Sequence, residues 1–162
     1  MLNKATDLSE WMERHTELNT LIHITKGIEF TRHDLETRLE LIDEICELMN
    51  KTRAHKYWSD KGPEPEAVLL DEYADIWLMA FKIGNDLEMT GGHYGIDTKV
   101  NLLKHFDAML FSAHVIYNPI GWHSFISLLK GLGLLLGFTS EKVEAAVLEK
   151  WETNIKRQKE GY

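Results

Sequence analysis

Apolar residues recur along most of this chain at the spacing of one helical face, and few stretches alternate with period two. The pattern predicts a helix from about Leu8 to Lys26, capped by Asp7 or Ser9 and closed by Gly27. A second starts near Asp34 and runs to about Arg53. The segment SDKGPEPE, 59–66, reads as a turn, and a third helix follows from about Pro65 to Ile83. GNDLEMTGGHYGID, 84–97, reads as a long loop. Two further helices are expected at roughly 98–116 and 122–136, with Asn118-Pro119 between them, and Thr139 or Ser140 caps a last one at about 141–159. No repeat, low-complexity tract or linker divides the chain, so residues 1–162 read as one all-α domain, a helical bundle with a four-helix core.

The third helix carries an anomaly. AVLLDEYADIWLMAFKI, 67–83, is apolar around nearly its whole circumference, which places it in the middle of the bundle. Yet Glu72 and Asp75 fall within its stripe of Val68, Leu69, Ile76 and Met79, three residues apart and so on one face. An isolated carboxylate in an apolar core costs several kcal/mol, and two close together repel, so something must neutralise them. On the second helix Glu44 and Glu47 repeat the spacing at the edge of a stripe with Leu41 and Leu48. Antiparallel packing of the two helices would gather four carboxylates. With no His or Cys partner, such a cluster suits a hard divalent cation, Mg²⁺ or in its place Mn²⁺. Glu44 and Glu47 taken alone also fit an ordinary charged helix surface.

Other metal chemistries fail on spacing. A di-iron bundle needs Glu-x-x-His twice, and none of the eight histidines has a Glu three residues before it. The zinc-protease motif H-E-x-x-H is absent, and Cys46, the lone cysteine, makes neither a zinc site nor a disulfide; it reads as a buried structural thiol.

Polar residues also interrupt the apolar face of the first helix, where Leu8, Trp11, Met12, His15, Leu18, Asn19 and Ile22 align. His15 and Asn19 there fit hydrogen-bonded core positions, or groups that read the edge of a base, since each presents a donor and an acceptor. Lys150, Asn154 and Arg157 share a face of the last helix, which is either a solvated surface or a ligand contact. Lys56 and Trp58 set a cation beside a large ring, suited to a phosphate next to a base or to a lysine stem lying on a core ring.

Composition narrows the partners. A net charge of −8 and a pI near 5.5 argue against a general duplex-DNA binder and leave room for a metal-chelated polyanion. The most apolar tract, Phe125 to Phe138, is 14 residues with Lys130 and three glycines inside; it is too short to span a bilayer and reads as a buried core helix. The first residues hold no apolar run of signal-peptide length, so a cytoplasmic location and no membrane partner are expected.

Leu18-Asn19, EICE at 44–47, KYW at 56–58, DEYAD at 71–75 and KWETNIKRQKEGY at 150–162 follow one another in an order that resembles the dimeric, all-α dUTPases of phages, some bacteria and trypanosomatids. That family sits among the all-α nucleoside-triphosphate pyrophosphohydrolases, alongside the MazG type. The terminal block is the most specific match, because helix periodicity gives no reason for it.

The resemblance implies that Glu44, Glu47, Glu72 and Asp75 hold Mg²⁺, that Glu44 orients or deprotonates the attacking water, and that Lys56, Lys150 and Arg157 meet phosphates. It implies nucleoside contacts from Asn19, Trp58 and Asn154, a homodimer, and conversion of dUTP to dUMP and pyrophosphate, with dUDP also accepted. His15 stands where relatives often have Gln, and Leu78-Met79 where they often have His-Phe. These departures fall in the expected base pocket. They keep two other readings open: a pyrophosphohydrolase for another pyrimidine or a broader nucleotide set, and a non-catalytic helical module that uses Trp77 and the apolar helices as a partner surface.

Overall fold

The computed structural model describes residues 8–29, 34–89 and 94–161. Asp7, positions 90–93 of the long loop and Tyr162 of the terminal block lie outside them. Six helices follow one another: α1 (Ser9–Lys26), α2 (Asp34–Thr52), α3 (Glu66–Asp86), α4 (Leu102–His114), α5 (Pro119–Leu135) and α6 (Ser140–Lys159). No strand occurs among the described residues.

α3 is the central element. It packs against α1, α2, α5 and α6, while α1 also meets α6, and α4 bridges α2 and α5. Eleven of its 21 residues are buried, including Tyr73, Trp77 and Phe81, as expected of a helix apolar on nearly all sides. Trp77 is fully enclosed and stacks at a tilt on Phe81, so it offers no partner surface.

The helix ends show how local chemistry sets the boundaries. α1 closes on Gly27 at φ 62, the left-handed conformation that glycine adopts without a Cβ penalty. Its start differs from expectation: Ser9 is already helical, and the buried Leu8 occupies the cap position with no side-chain cap. Thr139 does cap α6, accepting from the Lys142 N–H. Asn118-Pro119 does not end in a long gap but opens α5 three residues earlier than expected: the Asn118 side chain accepts from the Gly121 N–H, and Pro119 takes the first helical position, where its missing N–H costs nothing.

α2 ends at Thr52, and Arg53 turns into the left-handed region at φ 58. That conformation costs roughly 1 kcal/mol or more for a non-glycine residue. The Arg53 guanidinium offsets it by donating to the Lys61 carbonyl and the Ser59 hydroxyl, which folds the 53–61 connection back on itself.

α5 is the buried apolar helix the sequence anticipates, and Lys130 inside it is fully enclosed. Its Nζ donates to the Tyr94 carbonyl, and burial pushes its pKa down. His105 on α4 adds a second tie: it accepts at Nδ1 from the Lys99 N–H, which leaves Nε2 to donate to the Leu128 carbonyl at 2.8 Å. The chain at 94–99 thus lies directly on α5, where a Cβ at Gly131 would come within 1.9 Å of the Asp97 carbonyl oxygen. Gly131→Ala is expected to destabilise the fold by about 2–3 kcal/mol through this overpacking, read as a lower urea midpoint at unchanged m. A midpoint equal to wild type would mean that the 94–99 segment rides freely over α5.

Among the described residues no single helix is long and apolar enough to cross a membrane.

Candidate active site

α2 and α3 make the largest helix–helix contact among the described elements and run antiparallel, so residues rising along α2 meet residues falling along α3. Glu44 therefore faces Asp75 and Glu47 faces Glu72. One oxygen each from Glu44, Glu72 and Asp75 lie within 4.8 Å of one another. Glu47 lies close enough to Glu72 to raise its pKa, but it contributes no oxygen to that group. Three of the four carboxylates expected from the spacing come together, while Glu47 stands beside Glu72 outside the group.

Crowding shows in the titration of these groups. Burial, then the charges of Asp75, Glu47 and Glu72, push Glu44 up to about 7. Glu72 is raised by burial and by Glu47, and Asp75 by burial in spite of a nearby ammonium. Carboxylates held together against their own repulsion favour protons or a cation. Three anionic oxygens in mutual reach, with no sulfur or imidazole nitrogen in the group, fit a hard divalent ion such as Mg²⁺ or Mn²⁺.

Two lysines border the cluster. Lys150 Nζ, from α6, lies 2.7 Å from Asp75 Oδ2 and 2.9 Å from Asp71 Oδ2. Burial alone would lower its pKa, but the hydrogen bonds and charges of Asp75 and Asp71 outweigh it, so the ammonium is held above its ordinary value. Lys51 Nζ stands 3.7 Å from Glu72 Oε1.

A cavity of about 440 Å³ opens beside the cluster between α1, α2, α3 and α6, with Glu44 and Asp75 in its wall. His15 and Asn19 of α1, Leu78 and Met79 of α3 and Asn154 of α6 also line it. His15 is buried, and its Nδ1 has no hydrogen-bond partner among the described residues. Burial first, then the Lys82 charge, push its pKa down to about 3, so the ring is neutral at pH 7 and keeps one donor and one acceptor nitrogen. Asn19 and Asn154 bring amides to the same space.

Three of the residues singled out from sequence are elsewhere. Lys56 and Trp58 sit in the connection after α2, and Arg157 lies on the exposed side of α6; none is in the cavity wall. Trp58 is two-thirds exposed and meets Tyr57 edge-on at 5.2 Å. Cys46 is half-buried rather than enclosed.

The structure adds residues that sequence reasoning missed. Glu36 and Glu40 extend the acidic face of α2 along the cavity, and Lys82 pairs with Glu40 at 3.0 Å. A signal was available, because Glu36, Glu40 and Glu44 are spaced i, i+4, i+8 and Lys51 follows Glu47 by four.

The dUTPase sequence profile matches residues 7–162, nearly the whole chain. The chain belongs to the dUTPase family. Members of this family are nucleoside-triphosphate pyrophosphohydrolases, and this dUTPase accordingly hydrolyses dUTP. No curated protein matches the chain. The all-helical bundle agrees with the family assignment.

Proposed function

We propose that this dUTPase is a Mg²⁺-dependent enzyme of the dimeric, MazG-related all-α type, acting as one domain, and that it splits both dUTP and dUDP to dUMP at the carboxylate cluster of α2 and α3. The convergence of Glu44, Glu72 and Asp75 beside a cavity lined with amides and a neutral imidazole carries this reading. A triphosphate bears about four negative charges near pH 7, and at contact distance their repulsion by this cluster amounts to several kcal/mol even when well screened. A cation is therefore required between them. Glu44, Glu47, Glu72 and Asp75 are the residues that would hold it, with Mn²⁺ as a substitute.

Mg²⁺, when bound, supplies polarisation of water and of the phosphate oxygens and neutralises charge on the departing pyrophosphate. Glu44 orients the attacking water and accepts its proton as water is added across the α–β phosphoanhydride; a base so placed contributes roughly 10²- to 10⁴-fold. Lys150 meets a phosphate oxygen, and Lys56 and Arg157 approach the outer phosphates from the connection after α2 and from α6. Trp58, outside the cavity wall, meets the nucleoside only once the connection after α2 closes toward it. Asn19, Asn154 and His15 read the base, whose carbonyl and imide groups match their paired donors and acceptors. A homodimer and a cytoplasmic setting complete the reading. Among the described residues fourteen large apolar side chains stand exposed, Leu35, Leu39 and Phe111 included, which is generous for a protein of this size and suits a self-association surface.

Pyrophosphate release from dUTP, dCTP, dTTP and UTP, with and without Mg²⁺, tests the reading. Turnover is expected only with the metal and strongly in favour of dUTP. His15→Ala should raise KM for dUTP about ten-fold and narrow its advantage over dCTP, because a base left without a buried partner loses roughly that much discrimination. Unchanged KM and unchanged preference in this variant would remove His15 from the base pocket. Comparable rates with all four nucleotides would favour the broader enzyme.

A further inference from the structure

Lys150 is anchored on α6, but its ammonium is shared between two carboxylates one turn apart on α3. One of them, Asp75, belongs to the carboxylate cluster; the other, Asp71, does not. The Lys150 side chain is 15% exposed and Asp75 22%, whereas Asp71 is 63% exposed. A half-buried ammonium 2.7 Å from Oδ2 engages one of the two oxygens of Asp75, a member of the carboxylate group. It also sets a positive charge beside the cluster, where it acts on Glu44 as well as on Asp75. Asp71 offers a second seat already in contact at 2.9 Å, so the ammonium can leave Asp75 without giving up its hydrogen bonding or crossing apolar space.

We propose that Lys150 is a built-in competitor of the divalent cation, and that Asp71 is a positioning residue that takes over its ammonium when Asp75 turns to the metal. In the metal-free protein the ammonium offsets the repulsion within the cluster. On metal entry it turns to the more exposed Asp71, from which it can reach an incoming phosphate. The device couples metal occupancy to phosphate binding: the ion that draws the triphosphate in also releases the lysine that grips it. The inference rests on the proposed metal role of Asp75.

The test is Mn²⁺ binding to the nucleotide-free protein, followed by the electron-spin resonance of free Mn²⁺. Lys150→Met should bind Mn²⁺ on the order of ten-fold more tightly than wild type, since one positive charge leaves a partly buried site. Lys150→Arg, which keeps the charge, should stay near wild type and guards against a change of fold. Asp71→Asn should bind about three-fold more weakly, because Lys150 is then left wholly on Asp75. In the Lys150→Met background the Asp71→Asn change should have no further effect, which separates a role through Lys150 from that of a plain surface charge. An unchanged affinity in Lys150→Met, or an Asp71→Asn loss that persists in the double variant, overturns the proposal while leaving the metal site standing. No Mn²⁺ uptake by the wild-type protein overturns both.

Discussion

Glu44→Gln should inactivate this dUTPase and at the same time make its metal-free form more stable. The rate is expected to fall by about 10³-fold, within the range for loss of a positioned base. The gain in stability follows from the pKa of Glu44, raised to about 7 by burial and by Asp75, Glu47 and Glu72. In the unfolded chain the same carboxyl titrates at its ordinary value of 4.5. Between those two values the native state binds more protons than the unfolded state, so stability falls as pH rises through the window. Above pH 7 the full cost is present. Since Glu44 is only half-buried, solvent screening reduces that cost to about 1–2 kcal/mol. A glutamine cannot ionise and escapes it. Without metal, the variant should melt about 3–6 °C above wild type at pH 8 and at the same temperature near pH 4.5. Scanning calorimetry in EDTA at the two pH values reads this directly. A variant that is less stable than wild type at pH 8 would show that Glu44 makes favourable native contacts and is not held against repulsion.

The same trade explains which parts of the molecule were legible beforehand. Helix α3 announced itself because only a helix surrounded by others can be apolar on nearly every side, and Glu72 and Asp75 stood out against that background. The i, i+3 spacing put each acidic pair on one face, and the folded-back connection at 53–65 sets α2 and α3 antiparallel, so the meeting of Glu44 with Glu72 and Asp75 followed from local rules. The Leu8 cap was not legible, because burial rather than side-chain hydrogen bonding fixes the start of α1. Nor was the role of Asn118-Pro119, which reads equally as a break or as the start of a helix until the preceding turn is placed. Contacts across sequence were hidden for a different reason. Lys150 touching Asp71 and Asp75, or His15 and Asn154 sharing one cavity, depends on how α1 and α6 dock on α3. Periodicity places residues on a face, but not opposite a chosen neighbour.

Glu72→Gln should abolish both Mg²⁺-dependent turnover and the stabilisation that Mg²⁺ confers. The Glu72 side chain is 13% exposed, close to Glu47 and 3.7 Å from the Lys51 ammonium. Glutamine has nearly the same shape, and its amide can donate to the Glu47 carboxylate, so the helix pair should keep its packing. What is lost is one anionic oxygen of the group that hard cations require. In wild type, Mg²⁺ at about 100 times its dissociation constant adds about 2.7 kcal/mol, or roughly 5–10 °C in Tm for a chain of this size. The shift should be large at pH 8 and small at pH 5. Glu44, Glu72 and Asp75 are all raised, so at the lower pH protons compete with the ion for their oxygens. In the variant the shift should be nearly absent at both pH values, and EDTA should leave its melting curve where it was. Retention of the Mg²⁺ shift together with wild-type turnover would take Glu72 out of the metal site and leave its burial beside Glu47 as a cost that no cation relieves. Loss of turnover with the shift retained would place Glu72 against the substrate instead, since the ion would then still be held by Glu44, Glu47 and Asp75.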